Sequence, residues 1–102
     1  MNIEVESLIE IACGLLGCSI DDFRNSSKKK DAAMARRFVS YYLYENGYRN
    51  ENIAKAIGYS KDFVSFNNQR FKMMKNKPDV QYTYAIFLDE VEKIKGTDKW
   101  KS

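Results

Sequence analysis

Histidine is absent from this 102-residue chain, proline occurs once, cysteine twice and glycine five times. No apolar run approaches the roughly eighteen residues of a membrane-spanning helix. Each scarcity excludes something. Without histidine the chain lacks the commonest general base and metal ligand, and Cys13 and Cys18 alone cannot complete a four-ligand zinc site. No glycine-rich phosphate loop, nucleophile elbow or paired-carboxylate constellation is present. The expectation is a protein that is not an enzyme and carries no cofactor or metal. The opening NIEVES is acidic where a secretory signal would be basic, which predicts a cytoplasmic protein with no membrane association and with reduced, buried thiols.

What is present suits one small folded unit. An apolar fraction of 44% with 14% aromatics can fill a core, but the length leaves no room for a separate catalytic module. The net charge of +3 conceals a segregation along the chain. Residues 1–23 carry five acids and no base, residues 24–77 thirteen bases against four acids, and residues 78–102 four bases against five acids. A central block of local charge +9 is what a phosphate-facing surface requires.

The apolar spacing is helical nearly throughout, so the fold class expected is all-α, a small helical bundle over residues 1–96 with a flexible tail at 97–102. Leu8, Ile11, Ala12, Leu15 and Leu16 predict a first helix over Val5–Leu16, ended by Gly17. Ser19 caps a short turn whose Ile20 and Phe23 point inward. RNSSKKK, 24–30, reads as an exposed basic loop, with Asp31 a first-turn or capping residue of a helix over Ala32–Glu45 that Asn46-Gly47 stops. Pro78 is expected to close the fifth helix and Asp79 to cap a last one ended by Gly96.

Within the basic block, NENIAKAIGYSKDFVSFNNQRF has the spacing of a helix-turn-helix. Ala54 permits close approach of two helices, Gly58 supplies a left-handed turn residue, and Val64 pins the second helix to the first. With Val64, Asn67 or Asn68, and Phe71 on the inner side, the outer face of the second helix holds Ser60, Lys61, Asp62, Ser65, Phe66, Gln69 and Arg70. Donors, acceptors and one aromatic suit base edges and thymine methyl groups.

The stretch GCSIDDFRNSSKKKDAAMARRFVSYY, Gly17 to Tyr42, resembles without a gap the start of the C-terminal DNA-binding domain of the bacterial replication initiator DnaA, typically GVSVEDLKSKSRKREIVLARQIAMYL, and IAKAIG resembles its IGRAFG. The resemblance covers about residues 8–75 and implies a Trp-repressor-like helical fold from a bacterial or phage source. It implies a basic loop in a minor groove and the second hairpin helix in the major groove. It also implies that Arg36 and Arg37 lie near the DNA. The family's Gly-Gly-Arg-Asp-His-Thr-Thr-Val is here Gly58-Tyr59-Ser60-Lys61-Asp62-Phe63-Val64, one residue shorter and without its His-Thr-Thr readers. Lys28 stands where the family places a groove-reading arginine, and no nucleotide-binding module accompanies the hairpin, so a role as initiator on its own is not expected.

The function expected is binding of double-stranded DNA in replication or transcription control. Arg24, Lys28, Lys29, Lys30, Arg36 and Arg37 would engage the backbone and the seven outer residues of the hairpin would read the groove. A single hairpin offers few contacts, so tight specific binding calls for a homodimer or a protein partner. The alternative is a protein-interaction module that keeps the fold and uses Tyr41, Tyr44, Tyr48, Tyr59 and Phe66 as an aromatic surface.

Overall fold

A computed structural model describes residues 5–99 of the chain, with side chains through Ile94. Its third helix is the hub. Helix α3 (Lys30–Glu45) buries Ala35, Phe38, Val39, Tyr42 and Leu43 at helical spacing, and also Ala32, Arg36, Ser40 and Tyr41. A helix buried this far round its circumference must be packed on several sides. It contacts α1 (Val5–Leu16), α2 (Ile20–Arg24), α4 (Asn50–Ile57) and α5 (Lys61–Met74), and α6 (Pro78–Lys99) lies against α1. Among the described residues the fold is a six-helix, all-α bundle, and no helix there is long and apolar enough to cross a membrane.

The core is aromatic. Phe38 stands among Phe71, Tyr84 and Phe87, with ring centroids 5.6, 5.1 and 5.5 Å away, and Tyr41 meets Phe71 at 5.0 Å. Edge-to-face and tilted pairs of this kind join α3, α5 and α6, and each adds about 0.5–1.5 kcal/mol beyond the area it buries. Burial pushes the Tyr84 hydroxyl well above the usual phenol range, so it stays protonated.

Several boundaries differ from those expected. The buried stripe of α1 is Leu8, Ile9, Ala12 and Cys13, with Ile11, Leu15 and Leu16 only partly covered. The helix is apolar over so much of its surface that α3 and α6, not the pattern, select the inner face. Ile20 is exposed while Phe23 is fully buried. Helix α3 begins at Lys30, ahead of the expected Ala32 and without a side-chain cap, and Asp31 takes the first-turn place of the two expected for it. Helix α5 ends at Met74, and Pro78 opens α6, where its missing N–H and fixed φ cost nothing. Asp79 therefore lies in the first turn. The break expected at Gly96 does not occur, since the backbone stays helical to Lys99; Trp100 and the rest of the tail lie outside the described residues.

The hairpin is built as its residues require. Ala54 carbonyl accepts from the N–H groups of Gly58 (2.9 Å) and Tyr59 (3.0 Å), closing α4 while Gly58 sits at φ +81°. Ser60 then caps α5 by accepting from Phe63 N–H at 3.1 Å. A Cβ at Gly58 would meet nothing nearer than the Arg24 guanidinium at 3.9 Å, so space is not the constraint there. Gly58→Ala is expected to destabilise the domain by about 1–2 kcal/mol through backbone strain alone, read as a lowered urea midpoint with an unchanged m-value.

Candidate nucleic-acid interface

Helix α5 divides as its period dictates. Val64, Asn67, Asn68 and Phe71 are buried; Ser60, Lys61, Asp62, Phe66, Gln69 and Arg70 are exposed, and Ser65 is half-buried. Both asparagines lie inward. Asn68 accepts from the Ser40 hydroxyl (2.7 Å) and donates to the Asn50 side chain (3.2 Å), tying α3, α5 and the start of α4 together in a partly buried chain. The outer face is thus presented by a helix held through polar as well as apolar contacts. Phe66 is 56% exposed, with the Arg70 guanidinium 5.4 Å from its ring centroid.

The basic loop stands beside the hairpin turn, and Tyr59 puts it there. Its hydroxyl donates to the Phe23 carbonyl and accepts from Ser26 N–H (3.1 Å), while its ring stacks on Phe63 with centroids 4.5 Å apart. The loop following α2 and the N-terminal turn of α5 are therefore fixed to one another. Nothing in the local sequence of the hairpin signals this, because the partner is a backbone group 36 residues away.

The six basic residues expected on the backbone separate into two groups. Arg36 is 4% exposed, and its guanidinium donates to the carbonyls of Phe23 (2.8 Å) and Asp22 (2.6 Å) with the Tyr59 ring 5.4 Å away. It satisfies carbonyls at the end of α2 that have no partner in the helix, so its expected place on phosphate is corrected to a structural one. Arg24 is ion-paired to Glu6, and Lys29 lies 3.4 Å from Asp22 while remaining 72% exposed. Lys28 and Lys30 are exposed and, among the described residues, have no ion-pair partner.

Arg37 is the informative one. It is half-buried, and its Nε is enclosed with no hydrogen-bond partner among the described residues. Burial, then the neighbouring cations Arg70 and Arg36, lower its pKa from the ordinary arginine value. Arg37 on α3 feels the charge of Arg70 on α5, and among the described residues neither has an ion-pair partner. Burying a cation beside like charge is unfavourable unless an anion completes the site. Lys72 adds a cation on another side of α5: it lies 6.0 Å from the Tyr44 ring and lines a groove with Asn50, Ser65, Asn68 and Gln69. Its position seven residues after Ser65 and three after Gln69 was the available signal for it.

The aromatic surface of the alternative reading is mostly not a surface. Tyr41 is 2% exposed, Tyr48 and Tyr59 are partly covered, and only Tyr44 and Phe66 are open. No family model, curated protein or solved structure matches this chain.

Proposed function

We propose that this domain binds duplex DNA, laying the outer face of α5 in the major groove while Lys28 and Lys30 in and beside the adjoining loop, together with Arg37 and Arg70, neutralise phosphates. It works as a binding module and not as a catalyst, in replication or transcription control, in the manner of the DnaA C-terminal domain that its sequence resembles. The observation that carries this reading is the exposed polar outer face of α5, with Lys28, Lys30, Arg37 and Arg70 all lacking an ion-pair partner among the described residues. Planar guanidinium groups with free donors match phosphate oxygens. Lys61, Ser65, Phe66 and Gln69 supply the donors, acceptors and apolar contact for base edges, and Asp62 is positioned to accept from a cytosine amine.

Four neutralised phosphates give a slope of log affinity against log salt of about −3.6, or roughly a 150-fold loss of affinity between 50 and 200 mM salt. Fluorescence anisotropy of a labelled random-sequence duplex at these two salt concentrations measures it. Arg37→Gln and Arg70→Gln are each expected to reduce the slope by about one while weakening binding to all sequences alike; Gln69→Ala instead is expected to alter sequence preference by about 1–3 kcal/mol. Affinity that does not change with salt would rule the proposal out.

One observation favours a second reading, a protein partner or a second copy of the chain on α5. Phe66 and Met73, separated by two helical turns, are 56% and 81% exposed. Absence of duplex binding at low salt, with a partner recovered from nuclease-treated extract and lost on Phe66→Ala, would select that reading.

A further inference from the structure

Three helices of the domain end on the same backbone turn. Tyr48 N–H donates to the Leu43 carbonyl at 3.1 Å, Tyr59 N–H to that of Ala54 at 3.0 Å, and Cys18 N–H to that of Cys13 at 3.0 Å, each pair bracketing a glycine with positive φ. This turn lays the residue after the glycine against the residue five positions earlier, ordinarily as an apolar contact. Leu43 with Tyr48 and Ala54 with Tyr59 follow that rule. At the end of α1 both positions are thiols.

We propose that Cys13 and Cys18 form a reversible intramolecular disulfide across the α1–α2 turn. The backbone has already brought the two residues into range. Standard bond lengths on either side of the 3.0 Å hydrogen bond limit the Cα separation to roughly 7.2 Å if everything were collinear, and the trigonal bends at the carbonyl carbon and the amide nitrogen bring it inside the approximately 4.4–6.8 Å that disulfides span. Gly17, at φ +82°, holds this turn, and both its N–H (2.8 Å) and that of Cys18 converge on the Cys13 carbonyl.

The two sulfurs differ in access, and this sets the order of events. Cys13 is 3% exposed, with its Sγ 3.6 Å from the Ser19 carbonyl, whereas Cys18 is half-buried. Burial, reinforced by its hydrogen bond with Cys18, pushes the Cys13 thiol up to about 12. Cys18 is therefore the attacking group. Its thiolate displaces one thiolate from a low-molecular-weight disulfide such as oxidised glutathione, forming a mixed disulfide on Cys18. The Cys13 sulfur then attacks the Cys18 sulfur, losing its proton to solvent and expelling the second glutathione thiolate. Two protein thiols are oxidised and the small disulfide is reduced to two thiols. The bond would tether Cys18 immediately before Ser19, the cap of α2, and α2 supplies the carbonyls that hold Arg36 and Tyr59. The proposal is independent of the DNA reading.

The test treats the reduced full chain with excess oxidised glutathione, quenches with acid, alkylates, and follows intact mass and peptide maps. The expected product is a monomer lighter by two hydrogens, with no alkylatable thiol and with full recovery on reduction. Cys13→Ser is expected to stop as a glutathione adduct on Cys18, and Cys18→Ser to remain unmodified over the same interval. A wild-type chain that keeps glutathione on Cys18 with Cys13 free, couples to a second chain, or retains both thiols would overturn the proposal.

Discussion

Arg36→Met is expected to destabilise the domain by about 2–3 kcal/mol while leaving the salt dependence of any duplex binding unchanged. The magnitude follows from what the guanidinium does. Its Nε and one terminal nitrogen donate to the Phe23 and Asp22 carbonyls at 2.8 and 2.6 Å from a site that is 4% exposed. Hydrogen bonds from a charged donor contribute about 1.5–3 kcal/mol each, and part of that gain is offset by removing a buried charge, so the net loss falls well below the sum. For a domain of this length the shift in melting temperature is about 8–20 °C. Methionine keeps the apolar stem, so the loss reports the donors and not packing. Arg36→Lys should rescue little, because one compact ammonium on a flexible stem lacks the planar fork that meets two carbonyls at once. The adjacent Arg37→Gln is expected to do the reverse, with stability held and the salt slope reduced. A stable Arg36→Met protein with a flattened salt slope would mean that the two arginines had been assigned the wrong way round.

That contrast shows where the sequence stops being legible. Arg36 and Arg37 are neighbours of identical chemistry on the edge of the same apolar stripe, and helical period alone leaves both near it. Which one turns inward is decided by carbonyls of α2, a partner more than a dozen residues away whose position is a tertiary fact. Tyr59 is the same kind of case, a turn residue whose hydroxyl finds the basic loop. The hairpin itself was legible, because Ala54, Gly58, Ser60 and Val64 act through local sterics and capping, and so were the glycine ends of α1, α3 and α4. Pro78 is ambiguous in the sequence, because proline suits the first turn of a helix as well as the residue beyond its end. In α1 the pattern was too apolar to choose its own inner face, and Ile9 and Cys13 entered the core in place of Ile11 and Leu15.

The other large effect is expected at Phe38. This fully buried ring touches Phe71, Tyr84 and Phe87, so Phe38→Ala removes the common member of three aromatic pairs that join α3, α5 and α6. Truncation of a buried phenylalanine costs about 3–5 kcal/mol through lost transfer energy and the cavity left behind. Against a typical total of about 5–15 kcal/mol, that is enough to unfold a substantial share of molecules at physiological temperature if the domain lies at the low end. Urea denaturation followed by circular dichroism measures it. Phe66→Ala provides the internal comparison: its ring is 56% exposed, and the expected change is within about 0.5 kcal/mol. Comparable losses at the two sites would place Phe66 in an interface already formed in solution.

The Ser40–Asn68–Asn50 chain has a consequence for how this protein can diverge. Greasy side chains tolerate a helix rolling slightly about its long axis, because one apolar contact substitutes for another at little cost. Directional bonds do not, since a small roll of α5 would leave a hydroxyl and two amides without partners. The chain works as a rotational index, like a keyway on a shaft. Replacements at Ser65, Phe66 or Gln69 can then change what the outer face recognises without changing the angle at which that face is offered.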